Sequence, residues 1–504
     1  MIALLAFRNV AHKPWRSVLL FAGFGIGVGV MIVLLSVGEA MLVQASDEKL
    51  VGGGQVTVLP DGLDLEVMKT GGVGGLYFSI ANARFVAQQL LASPRLGADV
   101  TAVAPQIEGK TVWLRANGRE LAVRAMGEVP SATRAVGAGP ALAAGAWNDD
   151  DSDRRWVRPT LAELRHETDH LHLPPADRPP GERESWGEWH YVNVLYDDAR
   201  RWAFLTFMVA GDMPNGRWGG QLLFTLHEQG ARARRFSLLV PPALVRYSLE
   251  RADLALGAHA SVTVDSAGDY LVRGTAHGEG VDAGHSARVD LVLHPAARAY
   301  FPGASLGGTG PGALVSGYAV PALRGEASGT ICVDRACTTL SSVQAYHDHN
   351  WGLWHQVNWE WGQARAGAYT FLYGRVQQTD RAAASAPMFF YLVDSLGFRA
   401  LFRPRQVEYD DARMIVVGGR RVRVPARATM TDVRGNDTLR VSIEIDDAVG
   451  TDLRTVLVQR GDRKSAGAIA HPFFIQMKGR ATISGRVGGS TLSGTGHGFF
   501  ETYR

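Results

Sequence analysis

The sequence is poor in cysteine and has no basic cluster, and both scarcities limit the classes of protein it can represent. Only Cys332 and Cys337 occur among 504 residues, too few for a zinc site built from Cys-x-x-Cys pairs. The net charge is +3, and no lysine and arginine cluster with interleaved aromatic residues stands out. A complete GxxxxGK[ST] phosphate loop is also missing. We therefore expect no nucleic-acid partner and no ATP chemistry on this chain.

One long apolar run is present, and no second run of that kind follows it. Residues Ser17 to Val37 carry no charge, which meets the roughly 20 residues that a bilayer span requires. Basic residues precede the run and acidic residues follow it, so we expect residues 1–16 in the cytoplasm and the bulk of the chain in the periplasm. The run is too long for a signal-peptide core and no Ala-x-Ala site follows. Residues 17–37 are therefore predicted to be a single-pass inner-membrane anchor.

The next two segments differ in composition. Residues 38–146 are predicted to form a small α/β domain, with a helix over Ala81–Ala92 and strands over 100–103, 111–114 and 120–125. Residues 147–185 are polar and rich in proline, which indicates a linker. We interpret the linker histidines as solvated surface residues rather than metal ligands; they are His166, His170 and His172.

From Trp186 to the C-terminus the pattern indicates β structure. Trp189–Tyr196 and Trp202–Val209 read as strands around a turn at Asp197-Asp198, and many similar units follow. More than a dozen short strands indicate two closed barrels or sandwiches. We place them at 186–345 and 346–504. Cys332 and Cys337 could close a disulfide across a hairpin or remain two thiols, and their spacing does not decide between these.

The segment Ala345 to Gly352, Ala-Tyr-His-Asp-His-Asn-Trp-Gly, concentrates polar and aromatic side chains. In an extended strand, alternation places one set on each face. One set is Tyr346, Asp348 and Asn350, and the other is His347, His349 and Trp351. Either set could face a cavity, or the segment could be an ordinary strand end with satisfied hydrogen bonds. His347 and His349 share a face suited to a metal, but no third ligand is indicated, so we expect no metal.

The N-terminal part resembles an ABC-transporter permease of the MacB/FtsX type. The resemblance rests on Leu5 to Leu20, the Gly-rich span after it, and Gly-Gly-Gln-Val-Thr-Val-Leu-Pro at Gly53 to Pro60. It implies a periplasmic domain and partners among ABC ATPase and permease subunits. Permeases of this family have further membrane helices that this sequence lacks, so the chain by itself is not a complete transporter.

The C-terminal part resembles the AttH/CrtC family, which includes carotenoid 1,2-hydratase (hydroxyneurosporene synthase). Four segments in order carry the resemblance: 188–193, 317–318 together with 325–332, 346–352 and 494–501. It implies a mainly β fold of two tandem lipocalin-like barrels, no cofactor, and an apolar ligand such as an isoprenoid or lipid. The family's usual Glu-Trp-Trp-Tyr is Glu-Trp-His-Tyr here, which places the ionisable His190 where an indole is common.

Hydration of a C=C bond needs an acid, a group that stabilises a cation, and a group that activates water. We assign these roles to Asp348, Trp351 and His349, in that order. Strict alternation would part Asp348 from His349, so one shared cavity requires a strand end or a bulge between them. The candidate ligand-binding residues are Trp189, His190, Tyr191, Tyr346, His347, Asn350, Trp354, Trp359, Tyr373 and Glu501.

Three hypotheses follow. The first is a membrane-anchored periplasmic protein that binds an apolar isoprenoid or lipid; a wider version of this hypothesis adds hydration of the bound ligand. The second is a true hydro-lyase that adds water to a polyene. The third is a non-catalytic accessory subunit of an ABC export system. An arginine at position 375, if it faced the cavity, would oppose a carbocation and so weigh against the second.

Overall fold

The computed structural model describes residues 14–46, 56, 80–137, 148–174, 178–307, 315–354, 357–378, 388–453 and 471–504. Two units emerge: the first comprises Met1–Phe78 and Val100–Arg158, and the second comprises Ser79–Asp99 and Pro159–Arg504. Most of the permease-like N-terminal motif, including residues 5–13 and all of 53–60 except Val56, lies outside the described residues. One of the further strand units that the sequence pattern predicts, over 454–458, also lies outside them.

The α-helices are, in chain order, α1 (Pro14–Ser46), α2 (Ile80–Ala92), α3 (Pro130–Ala135), α4 (Asp151–Val157), α5 (Leu161–His166) and α6 (Pro180–Arg183). The strands up to the disulfide hairpin are β1 (Gln106–Ala116), β2 (Arg119–Glu128), β3 (Trp186–Tyr196), β4 (Arg201–Asp212), β5 (Arg217–Glu228), β6 (Arg234–Val240), β7 (Val245–Tyr247), β8 (Leu254–Leu256), β9 (Ala260–Val264), β10 (Tyr270–Gly278), β11 (Ser286–Pro295), β12 (Phe301–Gly307), β13 (Val315–Val333) and β14 (Ala336–Leu353). The remaining strands are β15 (Val357–Ala366), β16 (Tyr369–Gln378), β17 (Phe389–Asp394), β18 (Gly397–Phe402), β19 (Glu408–Asp410), β20 (Arg413–Val417), β21 (Arg420–Val424), β22 (Arg427–Arg434), β23 (Asp437–Asp452), β24 (Phe473–Val487) and β25 (Ser490–Tyr503).

The first unit contains an apolar helix and a hairpin. Within α1, Phe21–Gly38 has a mean hydropathy of 2.2 and none of it is buried, so the helix is long and apolar enough to cross a membrane. By length and composition it fits an anchor and a signal sequence equally. Strands β1 and β2 pair antiparallel and contain the strands predicted over 111–114 and 120–125. Residues Val100–Val103, predicted as a strand, form none.

The second unit contains a closed β-barrel. Eight strands follow the order β11-β13-β14-β3-β4-β5-β6-β10, and β10 pairs with β11 to complete the ring. Strands β7 to β9 extend from β10, and β12 pairs with β13. Alternate residues fill the interior, because neighbouring side chains in a strand point to opposite faces. Buried interior residues include Val192, Val194, Leu205, Phe207, Phe224 and Leu291.

A second sheet of nine strands follows the first. Its order is β18-β17-β16-β15-β25-β24-β23-β22-β19, and a separate apolar cluster that includes Phe371, Phe390 and Ile443 packs on it. Among the described residues no pairing joins β18 to β19, so this sheet is a half-barrel. The mainly β prediction is confirmed, with one closed barrel and one open sheet where two closed barrels were expected.

The boundary predicted between residues 345 and 346 is wrong. Strand β14 pairs with β3 without interruption from Gln344 opposite Leu195 to Leu353 opposite Trp186. The Tyr346–Leu353 segment is therefore part of the first barrel. The prediction failed because strand alternation shows that a segment is extended but not which sheet its backbone hydrogen bonds complete.

The helix predicted at 81–92 is confirmed as α2, but it does not belong to a 38–146 domain. It is part of the second unit, where Phe85 packs against Tyr300 and Tyr391 with ring centroids 5.5 and 6.5 Å apart. Arg84 also forms an ion pair with Glu167, with Nη1 and Oε1 2.7 Å apart. Long-range packing of this kind leaves no local signal in the sequence.

The described residues of the predicted linker, 148–174 and 178–185, include three helices and are not a simple connection. Capping boxes begin α4 at Asp150 and α5 at Thr160, which supplies partners for the first amides of each helix. The division of the chain into the two units falls within this segment, between Arg158 and Pro159. Its later part packs into the second unit, where Leu164 and Asp169 are 1% and 0% exposed. The histidines interpreted as solvated surface residues, His166, His170 and His172, are only partly exposed.

The cysteine pair is bonded. Cys332 and Cys337 lie opposite each other at the β13–β14 hairpin, with Cα atoms 4.0 Å apart, and form a disulfide. Of the two alternatives that the spacing left open, the structure has the hairpin disulfide.

We predict that Asp282→Asn lowers the free energy of unfolding by about 1–3 kcal/mol at pH 7, because a buried acceptor of charge-assisted hydrogen bonds is lost. Both Nη atoms of Arg232 lie 2.8 Å from its oxygens, and these hydrogen bonds lower the pKa of Asp282 to about 2. Because its pKa is lowered on folding, the ionised Asp282 stabilises the folded state. This contribution is complete at pH values above the unfolded pKa, near 3.8, and it is lost as the pH falls toward 2.

Urea unfolding of the full chain in detergent at several pH values measures this difference. The matched control is Asp290→Asn, whose ion pair with Arg273 is exposed on both sides and contributes little. Equal stability of Asp282→Asn and wild type at pH 7 would contradict the prediction.

Candidate functional site

The uninterrupted pairing of β14 with β3 fixes which side chains share a face. No register shift occurs between Gln344 and Leu353, so neighbouring side chains alternate. Asp348 and His349 are both buried, at 2% and 0% exposure, but they point to opposite faces. The bulge that a shared cavity requires is absent from this pairing, and the structure does not bring Asp348, His349 and Trp351 together as one catalytic group.

On the outer face of the barrel, Asp348 accepts two hydrogen bonds. The Tyr346 hydroxyl donates to Oδ2 at 2.6 Å, and the Asn350 amide donates to Oδ1 at 2.6 Å. Trp361 of the second sheet donates from Nε1 to the Tyr346 oxygen at 2.8 Å. The predicted set Tyr346, Asp348 and Asn350 is therefore held together, and an indole of the second sheet completes the chain of hydrogen bonds.

A second carboxyl group lies on the same side. Glu501 in β25 accepts from the Tyr191 hydroxyl at 2.7 Å and from Trp359 Nε1 at 2.9 Å. Gln476 donates to the Tyr191 oxygen at 2.7 Å. Tyr191 stands opposite Asp348 across the β3–β14 pair. The two carboxyl groups thus lie where side chains of the two sheets meet.

The surroundings of this carboxyl pair disfavour negative charge. Burial is the main cause that raises the pKa of Asp348 to about 8, although hydrogen bonds from Tyr346 and Asn350 oppose the rise and the charge of Glu501 adds to it. Burial likewise raises the pKa of Glu501. A buried carboxyl group beside a second carboxyl charge, as Asp348 is, tends to retain its proton.

Aromatic rings surround the carboxyl pair in two groups. Trp189 packs against Trp354 and Trp359, with centroids 4.7 and 6.1 Å apart. On the other side Tyr318 packs against Trp361 at 5.1 Å, and Phe389 lies 5.8 Å from Trp361. Most of these rings are only partly buried; they are Trp189, Tyr318, Trp354, Trp359 and Phe389. Their faces form an apolar surface beside two buried acids.

The inner face holds a different polar cluster. His349 lies between Asp169 (2.9 Å from Nδ1) and Glu188 (2.8 Å from Nε2). Burial disfavours the charged ring, but hydrogen bonds to Asp169 and Glu188 outweigh it and raise the pKa of His349 to about 9. His172 contacts Glu188 at 3.0 Å and stacks on Trp351 with centroids 3.7 Å apart. His349 and Trp351 thus belong to the barrel interior.

Two groups of donor atoms in this cluster are close enough to hold a metal ion. One consists of Asp169, His190 and His347, and the other of His172, Glu188 and His349; within each, the donor atoms lie within 4.8 Å of one another. The two histidines of β14 fall in different groups, and neither group contains both of them. The sequence did not indicate the further donors beside each histidine as metal ligands, and two of those donors, Asp169 and His172, come from the segment interpreted as a linker.

The remaining predicted residues are dispersed. Tyr373 is buried in the core of the second sheet, and Trp354 donates from Nε1 to the Gly187 carbonyl at 2.8 Å. Arg375 is paired with Glu360, Nε to Oε2 2.5 Å. Sequence reasoning missed Asp169, Glu188 and Gln476 as members of these clusters. Glu188 belongs to the quoted 188–193 motif, whereas nothing local distinguished Asp169 or Gln476.

A separate surface groove of about 550 Å³ lies at the β3–β4 turn. It is lined by Leu195, Tyr196, Asp197, Asp198, Ala199, Val343, Gln344 and His497. None of the predicted site residues lines it.

No family model and no curated protein matches the sequence. Solved structures of similar fold include a putative AttH from Nitrosomonas europaea, with 15% identity, 66% of this chain and 97% of that chain covered, and a TM-score of 0.42. Kievitone hydratase from Nectria haematococca has 11% identity, 66% and 93% coverage and a TM-score of 0.40. CghA with Sch210972 has 11% identity, 67% and 94% coverage and a TM-score of 0.39.

The class that the fold defines is a mainly β protein with a closed eight-stranded barrel and a following half-barrel. Its structural neighbours are AttH-like and hydratase proteins. At these identities the likeness concerns the fold, and no residue role is transferred from it. The resemblance of the N-terminal part to an ABC permease stays a prediction.

We predict that Tyr191→Phe lowers the free energy of unfolding by about 1–3 kcal/mol, because the buried Glu501 and Gln476 each lose a hydrogen-bond partner. Urea unfolding of the full chain in detergent measures the change. Tyr247→Phe is the control, since Tyr247 is 37% exposed. A Tyr191→Phe variant as stable as the control would show that this hydrogen-bond network does not hold the two sheets together.

Proposed function

We propose that the protein binds an apolar, isoprenoid-like ligand against the aromatic surface between the two sheets and hydrates a C=C bond there. The observation that carries the proposal is the pair of buried carboxyl groups, Asp348 and Glu501, hydrogen-bonded to tyrosine and tryptophan side chains of both sheets. A carboxyl group in such surroundings keeps its proton near neutral pH and is therefore available as a general acid. The neighbouring rings offer π faces to a cationic intermediate.

The reaction assigns one role to each carboxyl group. Asp348 gives its proton to one alkene carbon, and the electron pair of the π bond forms the new C–H bond. Water attacks the other, cationic carbon to form the C–O bond, and Glu501 as the carboxylate accepts the proton that this water loses. The two carboxyl groups then exchange the proton, so that the net change is the addition of one water molecule.

This proposal reassigns two roles of the sequence analysis. His349 lies inside the first barrel between Asp169 and Glu188, so Glu501 replaces it as the group that activates water. Trp351 also lies on the inner face, stacked on His172. Trp359 and Trp361, which donate to Glu501 and to Tyr346, replace it beside the reacting carbon.

We predict that Asp348→Asn lowers turnover at least about 100-fold, the usual contribution of a positioned acid. The full chain in detergent is incubated with linear isoprenoid polyenes, and products heavier by one water are sought by mass spectrometry. Asp410→Asn, a change at an exposed aspartate of β19, is the control and should retain activity. Folding of each variant is checked by circular dichroism.

A folded Asp348→Asn variant with undiminished turnover would exclude the acid role of Asp348. If wild type forms no hydrated product but retains the polyene through purification, the protein binds the ligand and the hydration step of the proposal is wrong. If it neither binds nor converts polyenes, the apolar-ligand proposal fails as a whole.

We further propose that helix α1 anchors the chain in the inner membrane, with the barrel unit in the periplasm. The support is the uncharged span, the basic residues before it and the acidic residues after it. We predict that the protein stays with membranes after an alkaline carbonate wash and keeps its N-terminal residues. A soluble protein whose first residue lies beyond α1 would identify the helix as a cleaved signal sequence instead.

A further inference from the structure

The inner-face cluster at one end of the first barrel has three buried donors from three chain segments. His190 comes from β3, His347 comes from the neighbouring β14, and Asp169 comes from the segment after α5. All three are buried, and their donor atoms lie within 4.8 Å of one another. The proposed hydration uses none of these side chains.

Two nitrogen atoms in this group are buried without a hydrogen-bond partner. They are His190 Nδ1 and His347 Nε2. The other ring nitrogen of His347, Nδ1, lies 3.0 Å from the Tyr191 carbonyl oxygen, which only accepts, so Nδ1 carries the hydrogen and Nε2 presents a lone pair. A ring fixed in this tautomer by a backbone carbonyl is the usual state of a metal-binding histidine. A buried lone pair without a partner is otherwise costly.

Asp169 is held in place by other groups. Its Oδ1 lies 2.9 Å from His349 Nδ1, and its Oδ2 accepts from the hydroxyl of Tyr270. Oδ1 also lies 3.9 Å from the unpartnered His190 Nδ1, too far for a hydrogen bond. The donor atoms of Asp169, His190 and His347 are thus close to one another without being hydrogen-bonded to one another.

The second group, formed by His172, Glu188 and His349, is already satisfied. Glu188 lies at hydrogen-bond distance from both histidines, 3.0 and 2.8 Å, and it also accepts from the backbone amide of His172. Hydrogen bonds alone therefore account for this group. They do not account for the first.

We propose that Asp169, His190 and His347 form a binding site for a divalent first-row transition metal ion such as Zn²⁺. Two imidazole nitrogens and one carboxylate oxygen suit such an ion, whose bonds to these donors are about 2.0–2.2 Å long. His349 and Tyr270 orient Asp169 from outside the ligand set. The bound ion fastens the segment after α5 to β3 and β14, so it stabilises the barrel end that this segment covers.

The test uses the full chain in detergent, without a histidine tag and freed of metal by a chelator. Zn²⁺ and Co²⁺ are titrated separately by calorimetry. We expect one equivalent to bind and to raise the melting temperature. His190→Gln and His347→Gln should weaken binding by at least about 100-fold, more than the loss of an outer partner. The controls are His172→Gln, in the satisfied group, and His277→Gln, on the exposed side of β10; both should bind as wild type does.

Binding that survives His190→Gln and His347→Gln, or that His172→Gln removes equally, would overturn the assignment. So would the absence of tight binding of either ion by wild type. A measurement on wild type covers the case in which a variant does not fold: X-ray absorption of the Co²⁺ complex should show two imidazole ligands with oxygen donors. A spectrum without imidazole ligands would reject the site.

Discussion

The alternation of side chains along β14 is the constraint on which the rest of the structure depends. Because β14 stays in register with β3 through the whole Tyr346–Gly352 segment, one polar set is directed into the first barrel and the other toward the second sheet. A shift by one residue would exchange the two sets. One strand therefore supplies two chemically different environments, separated only by the thickness of the sheet.

The two environments favour different protonation states of their buried carboxyl groups. On the outer face, Asp348 and Glu501 are buried beside aromatic rings, and burial raises the pKa of both carboxyl groups. On the inner face, Asp169 lies among histidines, and despite its burial their hydrogen bonds and charges keep its pKa well below the ordinary value. Asp348 thus favours the protonated form on one side of the sheet, and Asp169 favours the ionised form on the other. Proton donation suits the first side, and cation binding suits the second.

The sequence predicted what local patterns control. Aromatic and β-branched runs between turns located most strands, and the alternation within Tyr346–Trp351 grouped the side chains that share a face without deciding which set points inward. The apolar run of α1 was equally clear. These features depend on residues close in the chain, and period-two or uninterrupted hydrophobicity reports them directly.

What the sequence could not predict depends on contacts between distant residues. Asp169 reaches His349 across 180 positions and Tyr191 reaches Glu501 across 310, and neither carboxyl group has a local feature that marks its partner. The interpretation of 147–185 as a linker followed proline and charge content, which does not reveal that Leu164 and Asp169 are buried. Whether the second sheet closes is decided by pairing of its edge strands, which composition does not encode.

The most direct test of the central claim is a crystal structure of the chain with an apolar polyene bound. The account predicts ligand density between the two sheets, in contact with the Asp348 carboxyl group and the rings of Trp359 and Trp361. Density inside the first barrel beside His349, with Asp348 out of contact with the ligand, would contradict it.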